Sequence, residues 1–529
     1  AGYSGVGKTS LVHEIQKEAI GRQATFVEGK FDQLQRTLPY SGWEQALTQL
    51  VSYWLAGSED ALAQLGESIL EAVGDQAQIL VDFIPALERV IGPQPDVPQL
   101  GGIENQNRFN YIFGRFIKSL ATPEHPLVVF LDDLQWIDLA SLNLIQALFA
   151  AQSNSSLLVI GAYRSNEVDL DHPLVAIQEQ LRAESERVNI IPLEDLQPAD
   201  TNQMLADTLR LPARECLDLD RLLLDKTAGN PFYFRQLLLA LESEALLRFD
   251  RSRRRWVWEE ELPQRLQAGG NVVDLMIGRI RTLPEHTQRI LAIAACIGSR
   301  FDASALACVM KQPREEILTH LDPALRAGLV IQSNGHCRFS HDRIQEAGYA
   351  LIPESERPGT HLEIGRQLLA NTAAEDLGEE IFDIVGHLDL GRILIEAEPE
   401  QLDLVELNLK AGQKAKGASA FAEAIEYVDI GLGLLGADSW QEQYELTLSL
   451  LNEKAELVVF MGRYDQIPSI SAVIEAHAKC ALDQVPVYMT RIEAATTQMD
   501  FSAAVDIGLE ILGRLGVEIP SNPSDEDYA

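Results

Sequence analysis

Gly2-Tyr3-Ser4-Gly5-Val6-Gly7-Lys8-Thr9 fits the pattern GxxxxGK[ST] and stands at the very start of a 529-residue chain. A loop of this spacing cradles phosphate when it leaves a buried strand and enters a helix, so it implies a parallel α/β sheet, the P-loop NTPase fold. Its glycines let backbone N–H groups face the phosphates, and the helix that Ser10-Leu11-Val12 begins adds positive potential at its N-terminus. In that arrangement Gly2, Ser4, Gly5, Val6, Gly7 and Ser10 form the cradle. Lys8 reaches the β- and γ-phosphates, and the Thr9 hydroxyl ligates Mg²⁺. From average composition, a chance match in a chain this long is on the order of a few per cent. The strand that normally precedes such a loop is missing, and the sequence starts at Ala1 without Met. The expectation is therefore an internal fragment whose sheet lacks its first strand.

A second motif supports the first. Leu127-Val128-Val129-Phe130-Leu131 is an apolar run ending in Asp132-Asp133. A buried strand closing on two acids is the Walker B pattern, in which Asp132 helps hold Mg²⁺ and Asp133 polarises the attacking water. The competing reading is two acids that merely cap the next helix. The following run, Leu157 to Ala162, ends in Tyr163-Arg164, where an arginine is placed to sense the γ-phosphate or else sits in a surface salt bridge. No NKxD-type guanine reader is evident, which favours adenine; ATP or ADP with Mg²⁺ is the expected ligand.

Residues 1–192 alternate helical periods with short β-branched runs, as a parallel α/β domain does. Val128 to Leu131 and Leu157 to Ile160 read as strands buried on both faces. The Pro- and Gly-rich stretch from Gly92 to Gly102 reads as a surface loop. From 193 to 247 helices replace strands, with a start signal at Pro198-Ala199-Asp200-Thr201, and form a helical lid. Residues 248–355 read as a winged helix, because helices there precede a hairpin marked by Ser333-Asn334-Gly335. Residues 356–529 read as all-α. Phe421, Tyr464 and Phe501 recur at intervals of 43 and 37 residues, which fits paired-helix repeats of the tetratricopeptide (TPR) kind, with a non-repetitive bundle as the alternative.

Bulk charge narrows the partners. With 43 Lys and Arg against 79 Asp and Glu, the chain carries a formal charge of -36, which repels nucleic acid and anionic lipid over most of its surface. Between residues 271 and 353 there are nine basic and eight acidic side chains, hardly a phosphate-binding face for a winged helix. Arg251, Arg253, Arg254 and Arg255, followed by Trp256-Val257-Trp258, read as the exposed turn of another hairpin. No apolar run approaches the roughly 20 residues of a membrane span. The five cysteines show no CxxC spacing and read as buried free thiols in a cytoplasmic protein. The histidines show no metal-ligand pairing.

Longer segments resemble a known family. Gly29-Lys30-Phe31-Asp32-Gln33 with Pro39-Tyr40, Asn107-Arg108-Phe109-Asn110, and Phe130-Leu131-Asp132-Asp133-Leu134-Gln135-Trp136-Ile137-Asp138 resemble the central ATPase of bacterial multidomain sensor kinases. That ATPase belongs to the STAND group of P-loop switches within the AAA-like superfamily. The likeness spans roughly residues 1 to 395, through Phe339-Ser340-His341-Asp342 and His387-Leu388. It implies Ser/Thr kinase, GAF and histidine kinase domains outside this chain as intramolecular partners, with protein partners on the helical repeats. It also implies that Pro231, in Gly229-Asn230-Pro231, packs near the adenine, and that His341 contacts the β-phosphate of ADP and locks a closed state. A plain helix-terminating turn and a satisfied polar histidine are the alternatives. The chain carries no HRD, DFG or Gly-rich kinase loop. An ATP-driven switch is thus the leading function, ahead of a DNA-binding regulator and a nucleotide-inactive scaffold.

Overall fold

The computed structural model describes residues 1–33, 38–98, 102–150, 156–184, 188–243, 245–258, 272–333 and 336–517. Three parallel strands, β1 (Thr25–Lys30), β2 (Leu127–Asp132) and β3 (Leu157–Gly161), lie in the order β1-β2-β3. All six residues of β2 are buried, as its unbroken apolar run requires of a central strand. The register sets Lys30 opposite Asp132, so the last residue of β1 meets the first acid of the Walker B pair.

The expectation for β3 needs correcting. It is not buried on both faces: Leu158 is half exposed, and β2 is its only strand partner among the described residues. Beyond β3, Gly2 forms a parallel bridge with Arg164, and the Ala1 carbonyl accepts a hydrogen bond of 2.8 Å from the Leu193 N–H. The P-loop thus enters between the end of β3 and the segment around Leu193.

The helix Ser41–Leu55 crosses β1 so closely that a Cβ on Gly29 would stand 1.7 Å from the Gly42 carbonyl oxygen. Only glycine lets the two backbones meet there, and this contact fixes the Lys30 backbone against the helix.

Helices Pro198–Leu209, Ala213–Thr227 and Pro231–Ser243 form the lid around Leu205, Leu219, Leu223, Phe234 and Leu237. The first of them opens as its sequence signals, with Pro198 in its first turn and a capping box closed by Asp200. A hairpin follows, β4 (Leu247–Asp250) and β5 (Arg255–Trp258), with Arg251 to Arg254 as its turn; Trp256 and Trp258 pack on the lid core.

Helices Glu285–Ile297, Ala303–Met310 and Arg314–Arg326 then pack with an antiparallel sheet of order β6-β8-β7, a winged-helix arrangement. Its strands are β6 (Arg300–Asp302), β7 (Val330–Ser333) and β8 (His336–Phe339). Ser333 pairs with His336, as a two-residue turn demands; Asn334-Gly335 itself lies outside the described residues.

From Arg357 onward the described chain is helical. Phe421 opens the helix Phe421–Leu434, and Phe501 opens Phe501–Arg514. Tyr464 opens the short turn before Ile467–His477. Each follows a longer helix, as paired repeats require. One continuous apolar core joins the α/β domain to these repeats, running from Val27 and Trp43 through Phe382 and Tyr427 to Tyr488. Among the described residues, no helix is long and apolar enough to cross a membrane.

Candidate nucleotide site

The P-loop holds its phosphate-facing shape through lid contacts. Gly5 has φ +80°, and a Cβ there would stand 2.6 Å from Asn230 Oδ1, so neither the backbone nor the space admits a side chain. Asn230 Nδ2 donates to the Ser4 carbonyl at 2.9 Å, and the Phe232 N–H donates to the Gly5 carbonyl at 3.2 Å. The two residues flanking Pro231 therefore make the polar contacts with the loop, while Pro231 itself begins the helix Pro231–Ser243. Gly2, Ser4 and Val6 are buried, and Ser10 is exposed in the first turn of the helix Lys8–Gly21.

Lys8 Nζ folds back to donate to the carbonyls of Gly2 and Tyr3, both at 2.9 Å. Burial lowers its pKa, opposed by Asp132 and Asp133. The Thr9 hydroxyl donates to Asp132 Oδ2 at 2.9 Å. This hydroxyl–carboxylate pair of hard oxygen donors beside a P-loop lysine suits Mg²⁺, which takes one or two protein oxygens and completes its shell with phosphate and water. Burial also raises the Asp132 carboxyl.

Asp133 adopts φ +58°, a left-handed conformation that aspartate tolerates better than most residues. Its Oδ1 accepts from Gln135 Nε2 at 2.8 Å, and its Oδ2 lies 2.9 Å from Lys30 Nζ. Burial pushes its pKa up to about 7, with Asp342 adding to the rise and Lys30 opposing it. Arg164, 1% exposed, is gripped on every side. Its guanidinium reaches Glu167 at 2.7 Å, Asp342 at 3.0 Å and Glu346 at 3.4 Å, and lies 4.6 Å from the Trp136 ring centre.

The winged helix closes over this cluster. Asp342 pairs with both Lys30 and Arg164, and these cations hold its carboxyl far below the usual range despite burial. His341 stacks on Phe232 at 3.7 Å between ring centres. Its Nδ1 accepts the Arg343 N–H at 3.1 Å, which caps the helix Asp342–Tyr349. Burial, helped by Lys30 and Arg164, drives its pKa down to about 4, so the neutral ring carries its proton on Nε2. Around the rim, the Ser299 N–H donates to Asp32 at 2.8 Å and Arg300 reaches Glu28 at 3.2 Å.

Residues drawn from the P-loop, β1, β2, β3, the lid and the winged helix therefore converge on one locus. Lys8, Thr9, Asp132, Asp133, Arg164 and His341 all lie in it or against it. Sequence reasoning quoted Lys30 and Asp342 within motifs but gave neither a role, and it did not single out Asn230 and Phe232 as the P-loop's partners. The four arginines before Trp256 lie apart, three in the β4–β5 turn and Arg255 at the start of β5.

Residues 1–160 match the AAA ATPase domain family. Over 99% of its length the chain is similar, at 26% identity, to hybrid signal transduction histidine kinase G of Dictyostelium discoideum. It spans 19% of that relative, about a fifth of its length. It also shows 13% identity and a TM-score of 0.41 to a Signal Transduction ATPase with Numerous Domains (STAND) protein with a tetratricopeptide repeat sensor from Pyrococcus horikoshii, covering 98% of this chain and 71% of that one.

Proposed function

Starting from an AAA-type P-loop ATPase domain at residues 1–160, we propose that the chain is a nucleotide-dependent switch of a larger signalling protein. The observation that carries this reading is the pairing of winged-helix Asp342 with Lys30 and Arg164 beside the P-loop. With ADP in the P-loop, Asp342 neutralises the two cations and holds the winged helix down. The neutral His341 offers its Nε2–H to phosphate. A γ-phosphate is a second anion for the same cations, so Lys30 and Arg164 turn from Asp342 towards it, Lys8 turns to it from the Gly2 and Tyr3 carbonyls, and Asp342 is repelled. Nucleotide then biases the two packings by its differential affinity for each.

Thr9 and Asp132 would hold Mg²⁺, which would supply charge neutralisation for phosphoryl transfer. In the closed packing Asp133 is tied to Lys30 and Gln135, so it is not free to orient water, and slow hydrolysis follows. Domain limits near residues 192, 247 and 355 would separate the switching bodies, with the repeats as receiver of the signal in the cytoplasm. The kinase and sensor partners would lie outside this chain. DNA binding through the winged helix is disfavoured by its balanced charge.

Two substitutions at His341 test the lock. His341→Ala is expected to speed ADP release roughly tenfold, the loss of one hydrogen bond to a charged group at about 1.5 kcal/mol. His341→Asn retains a capping side chain and separates helix capping from phosphate contact. Unchanged ADP release in the alanine variant would remove His341 from the lock.

A further inference from the structure

The helical repeats touch the ATPase domain at a point that leads straight to the nucleotide site. Helix Leu139–Ala150 begins directly after the segment Asp132 to Asp138. Asp138 caps it, accepting from the Ser141 N–H at 2.7 Å and the Ser141 hydroxyl at 2.6 Å. A second carboxylate arrives at the same helix start from far along the chain. Glu423, in the first turn of the repeat helix Phe421–Leu434, which packs against helix Leu139–Ala150, is 6% exposed. Its Oε2 is buried and has no hydrogen-bond partner among the described residues.

We propose that Glu423 is the latch by which the repeats hold the segment carrying Asp133, Gln135 and Trp136, and that the latch closes with the carboxyl protonated. The groups that face Glu423 make a charged form costly. From the ATPase side come Asp138 and the Tyr40 phenol, and from its own helix Glu426, all acids. Two desolvated carboxyls meeting at one interface cannot both ionise cheaply. The segment being held is the one that orders the site, since Gln135 bonds Asp133 and Trp136 lies under the Arg164 guanidinium. Glu423 is therefore a positioning residue, acting on the nucleotide site through this segment.

The sign of the pH response follows. Burial raises the docked Glu423 to about 7, whereas a free glutamate titrates near 4.3. Docking is fully favoured below about 4.3 and is lost progressively as pH rises through 7. By linkage the docking constant falls about tenfold between pH 6 and pH 8. The transmission to the nucleotide site rests on the switch reading; the docking itself does not.

The test is amide hydrogen exchange on the whole chain at pH 6 and 8, corrected for intrinsic exchange. Protection in the first turns of Leu139–Ala150 and Phe421–Leu434 is expected to drop severalfold with pH in the wild type. In Glu423→Gln, a neutral isostere of the protonated carboxyl, protection should stay high at both values. A flat wild-type profile, or an unaltered drop in Glu423→Gln, overturns the latch. ADP release measured at the same two pH values should follow protection; release that ignores it overturns the transmission. Exchange needs no nucleotide, so failure of the switch reading would be seen separately, as a chain that binds neither ADP nor ATP.

Discussion

Asp342→Ala is expected to release ADP roughly 100-fold faster than the wild type while keeping its P-loop intact. Asp342 is the one anion that the winged helix gives to both Lys30 and Arg164. Removing one member of a buried pair leaves uncompensated charge and costs about 3–5 kcal/mol in well-buried cases. Here the Asp342 side chain is one-fifth exposed, and both cations keep a second acid, Asp133 for Lys30 and Glu167 for Arg164. The lower end, about 3 kcal/mol, is the better figure, and it corresponds to roughly two orders of magnitude in an equilibrium or a release rate. Stopped-flow displacement of a fluorescent ADP reads it directly. Release within twofold of the wild type would mean that the winged helix does not gate the site.

Asp132→Asn should act on chemistry rather than on closure. The amide oxygen can still accept from the Asp133 N–H, as Oδ1 does at 3.0 Å, and the NH2 in place of Oδ2 can donate to the Thr9 hydroxyl, which now donates to that oxygen at 2.9 Å, so the fold should survive. What disappears is the charge that helps hold Mg²⁺. A metal stabilises the transferring phosphoryl group by several kcal/mol, so hydrolysis should fall about 100-fold or more while ADP binding changes little. Single-turnover phosphate release with Mg²⁺-ATP measures this; hydrolysis within threefold of the wild type would move the metal role to another residue.

Much of this arrangement was readable before any coordinates, and the parts that were not share a cause. The P-loop spacing and the apolar run before Asp132 are local signals, and each maps to a local element, the helix Lys8–Gly21 and the buried strand β2. The β7–β8 hairpin and the Pro198 helix start were legible for the same reason. Leu157 to Ile160 looked like a buried strand because composition reports hydrophobicity, not position in a sheet; β3 has β2 as its only strand partner among the described residues and Leu158 is half exposed.

Lys30 and Asp342 are 312 positions apart, and neither has a spacing that announces the other. A lysine ending a strand is usually solvated. Only the register that places it opposite Asp132, and the winged helix above, make it a site residue. Glu423 was equally silent, since a glutamate in the first turn of a helix is what the helix dipole favours. His341 was singled out through a resemblance, but the geometry gives the charged contact to its neighbour Asp342 and leaves His341 stacked on Phe232.

The central claim is that this P-loop holds nucleotide and that the closed packing retains ADP. Acid extraction and chromatography of the protein as purified, beside its Lys8→Ala variant, tests it most directly. Near-stoichiometric ADP in the wild type and none in Lys8→Ala, with helical content unchanged, is the result expected of a nucleotide-locked switch. An empty wild type that also fails to take up added Mg²⁺-ATP would contradict it and leave the cluster of Lys30, Arg164, Asp133 and Asp342 as a structural joint.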